Sequence, residues 1–255
     1  RDSLRVALNK AVDDNKIPSN PIKKVEILPK DDTEIPIWTL AQMDIYLEES
    51  AKDTPSPYLD AFGLILWTGL RRGELCGLKW SAVDLEHGAL YVVNNRREKK
   101  GGGYINKAPK TKSSRRVISL SPGCVDFLRR ILNEQEHYRL ENPTIDWAWP
   151  DDPYVICSPD GSIFGPHVLN KHFTTMCQRY QLPHTTPHRL RHTHASLLYA
   201  GGANMKELAQ RLGHASVATT MDIYTHLFED PMLGSEKLQQ LDKMLRGVEG
   251  LDDLL

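Results

Sequence analysis

The spacing of hydrophobic residues along the chain predicts mostly helices. Near the start, Leu4, Ala7 and Ala11 recur at the interval of one helix face. Thr39 and Gln42, three residues apart, form the pattern of a capping box, which predicts that a helix begins there. Similar patterns predict further helices at about 56–68, 72–80, 121–140, 166–181, 187–200, 205–212 and 216–227.

Strand signals are confined to a smaller part of the chain. β-branched residues cluster at both ends of the segment 88–120, around a Gly-rich turn, which predicts strands joined by that turn. A short extended segment is predicted at 154–158. We therefore expect a mainly α fold with a small antiparallel β-sheet, an α+β class.

The composition excludes several classes of protein. Hydrophobic residues make up 40% of the 255 residues and charged residues 25%, as in a soluble globular protein. No apolar run approaches the roughly 20 residues of a membrane span, and no secretory signal is recognised. The four cysteines lie far apart without a CxxC pair, which argues against a zinc ribbon or a disulfide framework and indicates a reducing cytoplasm.

Positive charge is concentrated in one segment, although the net charge of the chain is −1. Between Asn94 and Arg116 there are nine Lys or Arg residues and one acidic residue, Glu98. Such a stretch is either a solvated hairpin or a contact surface for a polyanion, and charge alone does not decide between them.

The heptapeptide HRLRHTH, which begins at His188, contains three histidines and two arginines. His188 and His192 have the i, i+4 spacing of two zinc ligands, but Arg189 and Arg191 lie beside them, and two permanent positive charges oppose a divalent cation. Pro187 fits a first helical turn, so His188 and Arg191 share a face near a helix start, where anions are favoured. We therefore expect an anion site here rather than a metal site.

Three other stretches supply further candidates for an anion site. TGLRRGEL places Arg71 and Arg72 just after a glycine at which a helix breaks and restarts. APKTKSSRRV places Lys110 and Lys112 at the entry to a predicted strand. LGHASVATTMDIYTHL places His214 directly after a glycine that stops a helix.

In this order, these stretches and HRLRHTHAS resemble the conserved boxes of the tyrosine recombinases, the phage-integrase family. The resemblance covers about residues 37–230 and is closest to the integrases of phages and conjugative transposons. Each motif alone is a weak signal, whereas four together at these intervals are specific. The resemblance implies the catalytic-domain fold of that family. It also implies a site-specific DNA recombinase that integrates and excises a mobile element.

The resemblance assigns a role to each candidate. Tyr224 is expected to attack the scissile phosphate, which gives a phosphotyrosyl bond at the DNA 3′ end and a free 5′ hydroxyl. Arg71 and Arg191 are expected to clamp the non-bridging phosphate oxygens. His188 is expected to accept or position the tyrosine proton, and His214 to hydrogen-bond a phosphate oxygen.

Two of these assignments have rivals. Arg72 is the alternative to Arg71, but the family pattern places the catalytic arginine directly after TGL. Lys110 is expected to be the general acid that protonates the leaving 5′ oxygen, with Lys112 as its rival in the same hairpin.

The remaining basic residues of the hairpin are expected to contact the DNA backbone. They are Arg96, Arg97, Lys99, Lys100, Lys107, Lys112, Arg115 and Arg116. Neither a metal ion nor another cofactor is expected, because two arginines, a lysine and two histidines provide the positive charge that Mg²⁺ provides in two-metal nucleases.

The resemblance also divides the chain. Residues 1–17 are expected to be the last helix of a truncated core-binding domain, 18–36 an interdomain linker, 37–230 the catalytic domain and 231–255 a C-terminal tail helix. Because the chain begins without Met, we expect it to be part of a longer protein.

The partners implied by the resemblance are double-stranded DNA attachment sites and further copies of the protein, in a homotetramer on paired sites. An excisionase or a DNA-bending protein is the expected helper, and the fragment by itself is expected to be monomeric. The protein would work in the bacterial cytoplasm or nucleoid, without a membrane contact. The tail is expected to dock either on a neighbouring protomer or on its own catalytic domain.

Three alternatives stay open. A type IB topoisomerase uses the same cleavage chemistry, but it does not exchange strands between two duplexes. A catalytically inactive relative would bind DNA only, although Arg71, Arg191 and Tyr224 are all present. A metal-dependent nuclease is disfavoured because the sequence lacks a carboxylate cluster near the motifs.

Overall fold

The computed structural model describes six stretches of the chain. They are residues 2–24, 38–53, 56–99, 101–109, 112–143 and 152–224. The chain divides into two compact units, residues 1–35 and 36–255. All four motifs belong to the second unit.

The first unit contains one helix and a short turn. Helix α1 (Asp2–Asp13) is followed by a 3-10 turn at Pro21–Lys24. The side chain of Asn20 joins the two, since its Nδ2 donates to the carbonyl of Arg5 (3.2 Å) and to Oδ1 of Asn9 (2.7 Å) in α1, and its Oδ1 accepts from the N–H of Ile22 (3.0 Å) in the turn.

The second unit is mostly helical. Its described helices are α2 (Leu40–Lys52), α3 (Pro57–Thr68), α4 (Arg72–Cys76), α5 (Pro122–Glu141), α6 (Pro166–Arg179), α7 (Pro187–Ala200), α8 (Met205–Leu212) and α9 (Val217–Tyr224). Within the described stretches, no helix is both long and apolar enough to cross a membrane.

Several predicted helix starts are confirmed, and the side chains that cap them explain why. The hydroxyl of Thr39 accepts from the N–H of Gln42 (3.3 Å), and the Gln42 side chain accepts from the N–H of Thr39 (2.9 Å), which completes the capping box. The hydroxyl of Thr186 accepts from the N–H of Arg189 (3.3 Å), with Pro187 in the first turn of α7.

Five short strands lie between α4 and α5. They are β1 (Val83–Asp84), β2 (Ala89–Val92), β3 (Asn95–Glu98), β4 (Tyr104–Lys107) and β5 (Arg116–Ser119). One antiparallel sheet has the order β1-β2-β5, and β3 and β4 form a separate antiparallel hairpin with Arg96 opposite Asn106. The predicted class, mainly α with a small antiparallel sheet, is confirmed.

The helix predicted at 72–80 is shorter than its sequence pattern indicates. It ends as α4 at Cys76, because the residues that follow pair with another segment instead of continuing the helix. Lys79 forms an isolated antiparallel bridge with Tyr154. In the segment predicted to be extended, 154–158, the β-pairing that the structure describes is this bridge at Tyr154.

The core of the second unit is built around α3. Phe62 and Leu64 on this helix are at most 1% exposed, and the ring of Phe62 lies 4.3 Å from that of Phe173 on α6, measured between centroids. Helix α3 packs against α5, α6 and α7 and ends at Gly69, whose φ of 66° is in the left-handed region. The core therefore fixes the turn in which the first arginine motif lies.

Replacing Phe173 with Ala should lower the free energy of unfolding by about 3–5 kcal/mol, because it opens a cavity between α3 and α6. Leu140→Ala on α5 is the control. The side chain of Leu140 is 78% exposed, so the change should stay within about 0.5 kcal/mol. Urea unfolding followed by circular dichroism measures both variants, and equal effects would contradict the core described above.

Candidate active site

Three arginines from distant parts of the chain meet at the C-terminal end of α8. The carbonyl oxygens of residues 211–213, called here the α8 carbonyls, each accept a hydrogen bond from one guanidinium. The pairs are Arg116 Nε to Arg211 O (2.5 Å), Arg191 Nη2 to Leu212 O, and Arg71 Nη2 to Gly213 O (2.8 Å). The last carbonyls of a helix have no partner within it and form the negative end of its dipole, so they attract cations.

Gly213 allows this arrangement in two ways. Its φ of 66° lies in the left-handed region, which ends α8 and which glycine adopts without strain. A Cβ at this position would lie 3.0 Å from Nη1 of Arg116 and 3.0 Å from the carbonyl of Ser113. Glycine therefore both terminates the helix and leaves space for a guanidinium.

The two arginines predicted to clamp phosphate bind neighbouring α8 carbonyls but differ in exposure. Arg191 is 2% exposed, and its Nη1 donates to the carbonyl of Gly69 (2.6 Å). Arg71 is the N-cap of α4, and its side chain is 34% exposed. The residue whose guanidinium reaches Gly213 is thus Arg71, the first of the two candidates in TGLRRGEL.

Glu74 is a residue of the site that the sequence reasoning missed. Its side chain is 2% exposed, and its carboxylate accepts from Arg71 Nη1 (2.8 Å) and from both Nη atoms of Arg116 (2.9 and 3.1 Å). Burial opposes ionisation, but the hydrogen bonds and charges of Arg116 and Arg71 outweigh it and hold the pKa of this carboxyl below its ordinary value. A signal existed, because an acid three residues after an N-cap has the spacing of a capping box.

Two histidines lie close to the arginines and are neutral. Nδ1 of His214, directly after Gly213, is hydrogen-bonded to the hydroxyl of Thr220 (2.8 Å). Burial, with Arg191 and Arg71 nearby, lowers the pKa of His214 to about 4. The same causes lower the pKa of His188, in the first turn of α7. At neutral pH each ring can therefore donate one hydrogen bond and accept another.

The site carries a net positive charge. Three guanidiniums and one carboxylate leave two positive charges around the α8 carbonyls, because both histidines are neutral. Across the described parts of the chain, no group of three or more His, Cys, Asp or Glu side chains is arranged to hold a metal ion. The arrangement offers fixed N–H donors and positive charge, which suit an oxyanion such as a phosphate diester.

Two of the residues predicted to contact DNA are largely buried in the structure. Arg96 is 3% exposed, its guanidinium lies 4.2 Å from the ring centroid of Tyr154, and its Nε donates to Asn106 Oδ1 (3.1 Å). The side chain of Arg116 is 6% exposed and is held by Glu74 and the α8 carbonyls. A basic stretch does not reveal which side chains of a strand point inward, and these two arginines pack inside the protein.

The other predicted contact residues are placed as follows. Four of them lie on the surface of the hairpin region: Lys99, Lys107 and Arg115 are exposed, and Arg97 is half-buried. Lys112 begins a 3-10 turn that runs to Ser114. Lys100 and Lys110, the predicted general acid, lie outside the described residues.

The predicted nucleophile belongs to the last described helix. Helix α9 is described from Val217 to Tyr224 and packs against α8. Val217 and Met221, which share its helix face, are 37% and 47% exposed, so this face is not buried at their positions. The backbone of Tyr224 is described, whereas its side chain lies outside the described part of the structure.

Replacing Glu74 with Gln should destabilise the protein by about 3–5 kcal/mol at neutral pH, because Arg116 then lies buried beside a neutral amide. The folded-state pKa of Glu74 is lowered, so its stabilising contribution is present above the ordinary pKa and is lost as pH falls through the folded-state value. The difference between wild type and variant should therefore shrink as pH falls below the ordinary glutamate pKa of about 4.3.

Glu49→Gln is the matched control for this prediction. Glu49 pairs with Lys52 on the surface of α2, and losing such a pair should cost under about 1 kcal/mol. Urea titrations at several pH values measure both variants. A Glu74→Gln effect that stays constant across this pH range would contradict a stabilisation based on charge.

Comparison with known proteins relates this chain to a family. The family model for phage integrases matches residues 41–230. A protein of Caldanaerobacter subterraneus described as tyrosine recombinase XerC-like is 31% identical over 239 residues, which are 88% of this chain and 60% of the relative. The transposase of transposon Tn916 from Enterococcus faecalis is 28% identical over 249 residues, 94% of this chain and 60% of the relative. The chain thus spans about three fifths of the length of these relatives.

Solved structures share the fold. The Tn1549 transposon integrase, in complex with transposon right end DNA, is 27% identical with a TM-score of 0.73, over 87% of this chain and 72% of that one. The XerA recombinase is 27% identical with a TM-score of 0.56, over 86% and 67% of the two chains. The predicted catalytic-domain fold is confirmed, and the matches together show that the chain belongs to the phage integrase family of tyrosine recombinases.

Proposed function

We propose that the protein is a site-specific DNA recombinase that cleaves and rejoins DNA through a 3′-phosphotyrosyl intermediate, for integration and excision of a mobile element. The observation that carries the proposal is the meeting of Arg71 and Arg191 at neighbouring α8 carbonyls, with neutral His188 and His214 nearby. Helix α9, whose last described residue is Tyr224, packs against α8. The family and its named members, which include a phage integrase and a transposon transposase, support it.

In the proposed reaction, the phenolic oxygen of Tyr224 forms a bond to the scissile phosphorus while the bond between phosphorus and the 5′ oxygen breaks. The tyrosine proton passes to His188, and Lys110 gives a proton to the leaving 5′ oxygen. One phosphodiester is exchanged for another, so the reverse step can join a 5′ hydroxyl of a second strand without ATP.

The guanidiniums of Arg71 and Arg191 are proposed to stabilise the negative charge of the transition state. Planar guanidinium groups fit phosphate oxygens with two donors at once. Because the main chain holds both groups before substrate binds, little reorganisation is needed during the reaction. Arg116 and Glu74 are proposed to hold Arg71 rather than to touch DNA, because the Glu74 carboxylate accepts from both Nη atoms of Arg116 and offsets its charge.

The proposed substrate is double-stranded DNA carrying attachment sites. The Tn1549 integrase has been solved with transposon end DNA and with circular intermediate DNA, which supports a DNA partner for this chain. Arg97, Lys99, Lys107 and Arg115 are proposed to contact backbone phosphates, the sequence-independent part of DNA binding.

The proposed assembly is a homotetramer on paired sites in the bacterial cytoplasm. The tail, residues 231–255, would link neighbouring protomers, and an excisionase or DNA-bending protein would set the direction. This tail lies outside the described residues, so its docking stays a prediction.

Tyr224→Phe should abolish covalent attachment of the full-length protein to DNA and leave binding nearly unchanged, because only one hydroxyl is lost. A suicide substrate traps the adduct for denaturing gels, and native gels measure binding. Tyr91→Phe is the matched control, since Tyr91 is a 42% exposed residue of β2, and it should form the adduct normally. A covalent adduct that persists in Tyr224→Phe would overturn the assignment of the nucleophile.

Cleavage by the full-length protein should continue in excess EDTA, because protein cations supply the positive charge at the phosphate. The rate of adduct formation is measured with EDTA alone and with Mg²⁺ in excess over EDTA. Equal rates are expected. Loss of cleavage in EDTA that Mg²⁺ restores would contradict the proposed mechanism.

A further inference from the structure

Arg211 is a half-buried cation whose guanidinium binds three neutral acceptors. Its Nε donates to Nε2 of His194 (3.0 Å), its Nη1 to the carbonyl of Ser119 (3.0 Å) and its Nη2 to the carbonyl of Trp67 (3.3 Å). These acceptors belong to α7, to β5 and to α3. One side chain on α8 therefore connects that helix to three other elements of the unit.

His194 connects Arg211 to α3 through its two ring nitrogens, and these hydrogen bonds fix its tautomer. Nε of Arg211 can only donate, so Nε2 of His194 accepts, and the ring proton is on Nδ1, which donates to the carbonyl of Leu66 (2.7 Å). Burial, together with the charge of Arg211, lowers the pKa of His194 to about 3. The ring stays neutral across the physiological pH range, so this connection does not change with pH.

The ring of His194 also contacts the turn that precedes Arg71. A Cβ at Gly69 would lie 2.5 Å from Cδ2 of His194, which shows how closely the ring approaches the backbone there. The carbonyl of that same Gly69 accepts from Nη1 of Arg191 (2.6 Å). His194 thus packs against the residue that orients one of the two phosphate-clamping arginines.

The main chain and the side chain of Arg211 meet different parts of the site. Its carbonyl is the first of the α8 carbonyls, which bind the guanidiniums, while its side chain ties the same end of α8 to α3 and β5. A small apolar cluster that contains Ala195, Leu208 and Leu212 also supports this helix end, and α9 packs against α8. Removing the Arg211 guanidinium would break the hydrogen bonds that tie this end of α8 to α3, α7 and β5.

A neutral partner for Arg211 also keeps the site positive. A carboxylate in the place of His194 would bind Arg211 equally well. However, its negative charge would also offset the positive charge of Arg191, which lies near His194. The imidazole supplies an acceptor without a negative charge. The phosphate therefore meets no competing anion from this direction.

We propose that Arg211 is a positioning residue, which acts through His194 and the α8 carbonyls to set the orientation of Arg71 and Arg191 toward the scissile phosphate. This rests on the proposed function, in which these two arginines clamp that phosphate. Arg211 itself does not touch DNA in this proposal.

A substrate with a methylphosphonate at the scissile position separates arginine positioning from general damage. A methyl group there replaces one negatively charged oxygen, so the reacting group needs less stabilisation by guanidiniums. Single-turnover adduct formation by the full-length protein is measured on this substrate and on the ordinary phosphodiester. The variants are Arg211→Met, which keeps the aliphatic stem, and Arg139→Met, an exposed arginine of α5, as the matched control.

Arg211→Met is expected to react about 100-fold more slowly than wild type on the phosphodiester, the scale of a misplacement of about 1 Å, and less than about 10-fold more slowly on the methylphosphonate. Arg139→Met should match the wild type on both substrates. Equal losses for Arg211→Met on the two substrates would overturn the proposal, because general damage to the fold does not distinguish between them.

Arg71→Ala distinguishes failure of this proposal from failure of the proposed function. The loss of reaction rate in Arg71→Ala should also be smaller on the methylphosphonate than on the phosphodiester. If it is not, the phosphate-clamping function fails, whatever Arg211→Met does. If the Arg71→Ala loss shrinks and the Arg211→Met loss does not, only the positioning proposal fails.

Two substitutions of His194 keep the proposal testable if Arg211→Met does not fold. Gln places an acceptor near the position of Nε2 and keeps the contact with Arg211, whereas Asn keeps the donor to Leu66 and loses that acceptor. His194→Asn is expected to show the larger loss, and that loss should shrink on the methylphosphonate. A larger loss for His194→Gln, or a loss independent of the substrate, would overturn the proposal.

Discussion

Every α-helix ends with carbonyl groups that its own turns leave without a hydrogen-bond partner. In this protein the end of α8 meets that requirement with guanidiniums instead of water, and the candidate active site is assembled around it. Arg71, Arg116 and Arg191 come from three different elements and each binds one α8 carbonyl. These carbonyls, which need hydrogen-bond donors, therefore hold three positively charged guanidiniums close together against their mutual repulsion.

The same arrangement determines which charged and neutral groups the site presents to an anion. Glu74 offsets one of the three guanidinium charges and is buried between Arg71 and Arg116. The histidines add no charge at neutral pH, because burial and the arginines lower their pKa values. Positive charge thus comes from arginines, which never lose their proton, while the histidines contribute neutral hydrogen-bonding groups.

Local features of the sequence predicted local structure well. The capping box at Thr39, the proline in the first turn of α7 and the left-handed glycines at the ends of α3 and α8 all depend on neighbouring residues. The meeting of Arg71, His188, Arg191 and His214 was predicted by resemblance to a family, because no spacing rule relates positions more than a hundred residues apart. The roles assigned to these residues, to Lys110 and to Tyr224 stay predictions.

Long-range pairing explains what the sequence did not reveal. Arg96 and Arg116 were predicted to face DNA, but their partners, Tyr154 and Glu74, lie far away along the chain. Helix α4 ends early because the residues after it pair with the segment at Tyr154. The contacts of Arg211 leave no trace in the sequence, since two of its three acceptors are main-chain carbonyls and every residue has one.

The use of main-chain carbonyls as acceptors has an evolutionary consequence. A carbonyl group is present whatever the side chain, so substitutions at positions 211 and 212 cannot remove the acceptors that hold two of the arginines; they can only displace them. Gly213 is the exception among the three, because its left-handed backbone and the crowding beside it restrict what else fits there. A lineage can therefore change side chains at this helix end and keep the same electrostatic framework only where the path of the main chain is preserved, and in the proposal above that path depends on the side chain of Arg211.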